Sequence, residues 1–271
     1  MDSHEPYPGA QTVSRAVALL KTFTDAQPEW GVSQLARAVG LNRTTTYRLV
    51  KALESEGMLA RNPATEAYRL GVEVIALGAR ALRATDLRLA SRAELETLAH
   101  QSGETATLEV LIAHEVLILD EVQSHHLIGA SPSIGTRWPA YATSTGKVLL
   151  SELPVARRRE LLKPPIAKLT ARTLHTQAAL RDELARVRLQ GYATAFEELQ
   201  QGYVAIGAPV RDLDGRIVAA ISLGGPSLRL TEARVAALAH RVVAAADNVS
   251  RNLGYCLDGV VRRRGDGADS E

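Results

Sequence analysis

Cysteine is almost missing from this chain. Cys256 stands alone, which excludes an internal disulfide and any cysteine-based zinc cluster and leaves Cys256 to be read as a packing residue. Aromatic residues are scarce at 4% while hydrophobic residues reach 46%, so the core must be aliphatic and the chain is of ordinary globular rather than disordered composition. There is no run of about 18 apolar residues that would span a membrane. Met1 to Ala10 has neither the basic start nor the apolar centre of a secretory signal, and a cytoplasmic location is expected by exclusion. Charge of one sign is lacking too. Thirty-two Lys and Arg against 30 Asp and Glu leave a formal +2, so contact with nucleic acid must come from local placement of basic residues. A length of 271 residues has room for two domains, and no internal repeat is present.

The most informative stretch is GVSQLARAVGLNRTTTYRLVKALESEG, Gly31 to Gly57. Val32, Leu35, Ala36 and Val39 recur at i, i+3, i+4 and i+7, and Thr46, Leu49, Val50 and Leu53 repeat the spacing, so two amphipathic helices are expected. Between them Gly40 can take the left-handed conformation that ends a helix, and Asn42 can cap the next. This is a helix-turn-helix pattern. With that stripe inward, Arg43, Thr44, Tyr47, Arg48, Lys51 and Ser55 face outward, and the basic N-terminal part of the second helix is the part that meets base edges in such motifs. Arg43 and Arg48 suit phosphate or guanine, and Thr44 and Thr45 suit phosphate oxygens or a thymine methyl. The alternative is a solvated helical hairpin, against which stand three coinciding features: turn chemistry, paired apolar stripes and a basic face.

Met58 to Arg61 and Ala67 to Leu70 flank Asn62-Pro63-Ala64-Thr65 and predict a small hairpin. Following a recognition helix, it would be a wing, with Arg61 and Arg69 placed to reach phosphates. Upstream, Val13, Ala16, Val17, Leu20 and Phe23 predict a third helix, with Trp30 covering the edge of the small core. Met1 to Gly9 reads as a disordered lead. From Val72 to Arg83 apolar residues are spread round more than one helix face, which suits a linker helix with a dimer contact.

After Thr85 the spacing of Leu87, Leu95, Leu98 and Ala99 predicts another helix ending near Ser102-Gly103. Two strands reversing at Ala113-His114-Glu115 follow, and a second hairpin turns at Asp214-Gly215, the pair a primed turn demands. Helices are expected from near Ser144, over Val155 to Leu162, from about Thr176 to Gln190, and after Thr231 along Val235, Leu238, Ala239, Val242, Val243 and Ala246. The expected class is α+β, an antiparallel sheet flanked by helices. Beyond Asp258 the Arg262 to Arg264 run reads as a solvated tail.

Taken together, SRAVALL, LARAVGLNRTTTYRLVKALESEG, YRLG, SGET, ATSTGKVLLSELP, GYATAFEE, APVRDLDG and AAISLGGP, in this order and spacing, resemble an IclR-family transcriptional regulator over nearly the whole chain. The resemblance implies a winged helix-turn-helix at 10–71, a linker helix at 72–85 and an effector-binding domain of GAF-like topology at 86–257, with 1–9 as lead and 258–271 as tail. It implies dimers or dimers of dimers on a pseudo-palindromic operator in double-stranded DNA, and no cofactor. Its ligand pocket would be lined here by Leu127, Trp138, Tyr141, Ser144, Thr145, Gly146, Ala195, Ala205, Ser222 and Gly224. Free N–H groups where Ala142 to Gly146 opens a helix would attract a small carboxylic acid. Some family members have aspartate, cysteine and serine where Ala195, Ala205 and Gly224 stand, so a roomier, more apolar cavity and an aromatic or bulkier acid are expected. The run GTRWPAYATSTGKVLL also resembles the aromatic-acid-responsive members.

Signals for catalysis are poor. Gly146-Lys147 lacks the remaining residues of a phosphate-binding loop. Asp120-Glu121 and Glu197-Glu198 are adjacent pairs, which point to opposite faces of a strand. His114 and His125-His126 lack metal-ligand spacing, and Ser144 sits in no nucleophile motif, since a serine at a helix start often only caps it. No catalytic or metal site is expected. The competing function is a metabolite-binding or hydrolytic domain whose helix-turn-helix mediates protein contacts.

Overall fold

The computed structural model describes residues 10–83, 86–126 and 134–255. The lead 1–9, Leu127, Cys256 and the tail lie outside the described residues. The chain forms two compact units, Met1–Ala84 and Thr85–Glu271.

The first unit runs α1 (Gln11–Leu20), α2 (Val32–Ala38), α3 (Arg43–Ser55), β1 (Leu59–Arg61), β2 (Tyr68–Leu70) and α4 (Val72–Arg83). The turn between α2 and α3 follows its chemistry: Gly40 has φ +65°, and Asn42 Oδ1 accepts from the Thr45 N–H at 2.8 Å. The stripe of α3 is inward at Thr46, Leu49 and Val50, with Leu53 packed beside them. On α1 the expected stripe is partly out of phase. Leu19 is the buried residue, whereas Val13 is 65% and Val17 42% exposed. Ala16, Leu20 and Phe23 of the expected stripe do pack on the core, and Leu19 joins them in place of Val13 and Val17. Trp30 does more than cover an edge, because its backbone exchanges two hydrogen bonds with Tyr68, of 2.9 and 2.8 Å. The β1–β2 hairpin is in register, Leu59 opposite Leu70 and Arg61 opposite Tyr68. On α4 the apolar Val72, Ile75 and Leu77 are exposed.

The second unit comprises α5 (Asp86–Ser102), β3 (Thr105–Ile112), β4 (Glu115–Val122), β5 (Arg137–Pro139), a 3-10 turn (Ala140–Ala142), α6 (Ser144–Ser151), α7 (Val155–Leu161), α8 (Gln177–Gln190), β6 (Ala193–Phe196), β7 (Tyr203–Arg211), β8 (Ile217–Pro226) and α9 (Glu232–Asn252). Six strands form one antiparallel sheet in the order β5-β4-β3-β8-β7-β6. Both faces are covered. Ile206, Ile221 and Leu223 join Leu95, Leu98, Val242 and Val249 in one core, and Val116 and Ala220 join Val148, Leu150, Leu180 and Leu184 in a second. The short β5 and β6, of 3 and 4 residues, were not expected, since such runs carry too few alternations to read.

One turn departs from expectation. Asp212 N–H donates to Arg216 O and Gly215 N–H to Asp212 O, both at 2.9 Å. Among the described residues φ is positive at Gly215 but not at Asp214. The hairpin therefore closes through three residues, Leu213 to Gly215, in the pattern of an ordinary turn followed by a left-handed glycine, and not through a two-residue primed turn.

Candidate functional site

Two places are candidates for function, one in each unit. In the first, Arg43, Thr44 and Tyr47 of α3 line a groove with Val32, Ser33 and Gln34 of α2 and with Arg61 and Glu66 of the wing. The recognition face and the wing thus share one concave surface. Arg43, Thr44, Arg48, Lys51 and Arg69 are exposed, Thr45 is half-buried, and Tyr47 is 51% exposed, so this aromatic ring has no core to fill. Two of the cations already have partners within the unit: Lys51 meets Glu54 at 2.5 Å, which raises its pKa, and Arg61 is paired with Glu66. Such exposed pairs are weak and can be exchanged for phosphate.

In the second unit a cavity of about 280 Å³ lies between the sheet and the N-terminus of α6. Ile118, Trp138, Ala142, Ala195, Leu199 and Ala205 supply its apolar wall. Of the expected pocket residues, Trp138, Ser144, Thr145, Ala195, Ala205 and Ser222 line it. Tyr141 and Gly146 do not. The Tyr141 hydroxyl donates to Ala167 O at 2.9 Å, and Gly146 packs so closely on the 3-10 turn that a Cβ would come within 2.1 Å of Ala140 O.

Gly224 is also absent from the lining, for an instructive reason. A Cβ there would lie 2.0 Å from the Tyr203 hydroxyl, so the space freed by glycine is filled by a phenol. Tyr203 itself lines the cavity, and burial pushes its hydroxyl well up from the usual value, with Glu109, Glu104 and Glu121 adding in the same direction. The room expected from Gly224 is therefore taken up at this end by the Tyr203 phenol.

A second correction is Glu109, which the sequence reading passed over. Its carboxyl is buried in the cavity wall, where Oε1 accepts from Thr107 Oγ1 at 2.7 Å and Oε2 from Thr145 Oγ1 at 2.5 Å. Burial pushes this carboxyl up, and hydrogen bonds from Thr145, Thr107 and Ser222 oppose the shift. A signal existed: Thr105, Thr107 and Glu109 make a polar alternating face on a strand expected to have helices on both sides.

The start of α6 is built by Thr143, whose Oγ1 accepts from the Gly146 N–H at 3.1 Å. Thr143, not Ser144, is the capping residue. Ser144 is buried and lines the cavity, and its hydroxyl has no hydrogen-bond partner among the described residues. The N–H groups of Ser144 and Thr145 belong to the first turn, which has no intrahelical acceptors. Gly207 opposite lets this turn approach β7, since a Cβ there would be 2.9 Å from the Thr145 nitrogen.

Behind this turn Lys147 is fully buried. Its Nζ donates to Glu183 Oε1 at 3.0 Å, Glu198 Oε1 at 2.7 Å and Thr194 O at 2.5 Å. Burial pushes Glu198 up against the pull of Lys147. At Glu183 burial is outweighed by Lys147 and Arg186, and that carboxyl is held low. Asp120 is likewise structural, buried against Arg88 and Arg92, each at 3.2 Å. Among the described residues no group of three metal-ligating side chains converges, and no helix is long and apolar enough to cross a membrane.

Comparison with known proteins agrees with both halves. Residues 12–63 match the IclR helix-turn-helix domain, and residues 79–251 match the bacterial transcriptional regulator IclR C-terminal domain. The chain is 31% identical over 249 residues to the HTH-type transcriptional regulator XynR of Escherichia coli strain K12, covering 92% of this chain and 99% of that protein. It is 34% identical over 251 residues to the glycerol operon regulatory protein of Streptomyces griseus, covering 90% and 96%. Among solved structures, an IclR homolog from Microbacterium hydrocarbonoxydans complexed with 4-hydroxybenzoate superposes with a TM-score of 0.78 at 28% identity, covering 89% of this chain and 98% of the other. These relatives are regulators rather than enzymes. A winged helix-turn-helix followed by an antiparallel effector domain, matched over nearly its full length, makes this chain a DNA-binding member of the IclR family of transcriptional regulators.

Proposed function

We propose that the protein regulates transcription in response to a small carboxylic acid, with an aromatic acid as the preferred class, bound in the cavity of the second unit. The observation that carries this reading is the first turn of α6, where Ser144 and Thr145 line a cavity whose apolar wall includes Trp138, Ile118 and Leu199. An apolar body with an anionic end is complementary to that arrangement. The bound 4-hydroxybenzoate of the Microbacterium homolog supports the class.

On the DNA side, Arg43, Thr44, Thr45, Tyr47, Arg48 and Lys51 read the major groove while Arg61 and Arg69 hold phosphates. Two copies act on a pseudo-palindromic operator, as a dimer or a dimer of dimers. The exposed Val13 and Val17 of α1 and Val72, Ile75 and Leu77 of α4 support self-association, because apolar side chains of this size are ordinarily covered. The acid acts by binding one quaternary arrangement better than another.

The test is a gel shift on the DNA flanking the protein's own gene, titrated with benzoate and 4-hydroxybenzoate alongside a thermal-shift screen of aromatic and aliphatic carboxylates. A true ligand raises Tm by mass action and changes the retardation. Retardation and Tm both indifferent to every acid would overturn the reading. Ala195→Asp tests the placement within the cavity: it sets a second carboxylate in the wall, at a position 5% exposed, and is expected to weaken binding of an aromatic acid by about tenfold or more. Undiminished affinity in a calorimetric titration counts against this placement.

A further inference from the structure

We infer that Glu109 is a specificity-determining residue of the cavity, selecting acids that carry a hydroxyl group over otherwise identical acids that lack one. The inference rests on the acid-binding reading above and adds to it what the far end of the ligand must offer.

The argument is a count of donors and acceptors. Thr107 donates its only hydroxyl proton to Glu109 Oε1, and Thr145 donates its own to Oε2. The Thr107 oxygen also lies 2.9 Å from the Ser222 oxygen. Since the Thr107 proton is already engaged, Ser222 is the donor in that pair. Three hydroxyls in a row thus point their protons toward one carboxyl. What this corner of the cavity still presents to a ligand is lone pairs: those of Ser222 and Thr145 and the remaining ones of Glu109. None of the cavity-lining residues is a Lys, Arg or His. A ligand carboxylate placed here would meet acceptors only. A ligand hydroxyl would meet a carboxyl acceptor, which in its charged form makes the stronger class of hydrogen bond.

Donors with no partner among the described residues line the same cavity: the Ser144 hydroxyl, the first N–H groups of α6, the Tyr203 hydroxyl, the Trp138 indole N–H and the Gln200 amide. The wall thus offers donors that suit a carboxylate and, at Glu109, an acceptor corner that suits a hydroxyl. Burial disfavours the charged form of Glu109, with hydrogen bonds from Thr145 and Thr107, and Ser222 behind Thr107, opposing it; a ligand hydroxyl adds one more partner to this buried carboxyl. Tyr203 is the ionisable group that feels Glu109 most, with Glu104 and Glu121 acting on it in the same direction.

The experiment compares the full-length protein with Glu109→Gln and Glu109→Leu by calorimetric titration of two matched pairs, 4-hydroxybenzoate against benzoate and 3-hydroxybutyrate against butyrate, with Tm measured for each variant. Gln puts N–H donors where lone pairs stood, and Leu removes the acceptor while keeping the site filled. The wild-type protein is expected to favour the hydroxylated member of the pair it binds at least tenfold, about the effect of one hydrogen bond to a charged group. Both variants are expected to bring the two members within about threefold of each other, with Tm near wild type for Gln, which keeps one acceptor oxygen, and lower for Leu, which leaves the Thr107 and Thr145 hydroxyls without an acceptor. A wild-type preference below tenfold, or a variant that keeps the wild-type ratio, overturns the inference while leaving the acid-binding reading intact. So does a fall in Tm with the ratio unchanged, which is what a purely structural carboxyl would give. No binding of any of the four acids by the wild-type protein overturns the acid-binding reading, and this inference with it.

Discussion

Replacing Arg43 and Arg48 together by alanine is expected to abolish specific retardation of operator DNA at physiological salt while leaving the fold intact. Both side chains are exposed, and Arg43 lines the groove that α3 shares with the wing, so their removal leaves no cavity and no buried partner. An arginine at a base edge contributes about 1–3 kcal/mol of discrimination, and one at a phosphate lowers the salt slope by about one without changing sequence preference. The two roles can be told apart by measuring the single variants on operator and on scrambled DNA over a range of salt. A residue reading bases loses its preference for operator, whereas one holding phosphate weakens binding to both. Wild-type affinity in both single variants, with unchanged circular dichroism, would remove α3 from the DNA interface. Tyr47, half exposed beside Arg43, would remain in that event as an aromatic ring with no explained role.

Lys147→Met is expected to give the largest loss of stability of any single change in the second unit. Methionine fills nearly the same volume, so the effect isolates the charge. Without the ammonium, Glu183 and Glu198 face each other in a buried site, and Thr194 O loses its donor. Removing one partner from a buried ion cluster costs about 3–5 kcal/mol, or roughly 6–20 °C in Tm for a unit of this size.

The pH dependence gives the sign. In the wild-type protein the lowered pKa of Glu183 means stability that is present above the ordinary carboxylate range and is lost as pH falls through it. In the variant Glu198, already pushed up by burial, loses the Lys147 that opposes that shift, so the folded state binds more protons than the unfolded one there, and stability rises as pH falls. The Tm gap between the two proteins should therefore narrow from pH 7.5 to pH 5. A gap that stays constant over that range would mean the loss is one of packing, not of charge.

Much of the DNA-binding unit could be read from the chain because its determinants are local. Gly40, Asn42 and the stripe Thr46, Leu49, Val50 specify turn, cap and inward face within a dozen residues, and no distant partner is needed to interpret them. The error on α1 marks the limit of that approach. Ala16, Leu20 and Phe23 fit a stripe completed by Val13 and Val17 as well as one completed by Leu19, and only packing against the rest of the small core decides between them.

The cavity was harder, since its residues come from all six strands β3 to β8 and from α6, and their approach is a matter of sheet order. Resemblance located Ser144, Thr145, Ala195, Ala205 and Ser222, but it carried over positions rather than volumes. That Tyr203 would occupy the space above Gly224 depends on two strands lying side by side, Tyr203 opposite Pro226 and Ala205 opposite Gly224. Glu109 was passed over because a lone glutamate among Leu108, Val110 and Leu111 carries no motif. Its meaning comes from Thr145, 36 residues away.

The three hydrogen bonds of Lys147 bear on how the cavity can respond. They fasten the middle of α6 to α8, to the end of β6 and to the segment beyond it, so the helix whose first turn faces the ligand has little freedom to slide or tilt. Leu199 and Gln200, by contrast, sit in bends between β6 and β7, outside any ladder of hydrogen bonds. Shape change on entry of the proposed acid would thus be channelled to one side, with the Leu199–Gln200 rim adapting against the anchored helix.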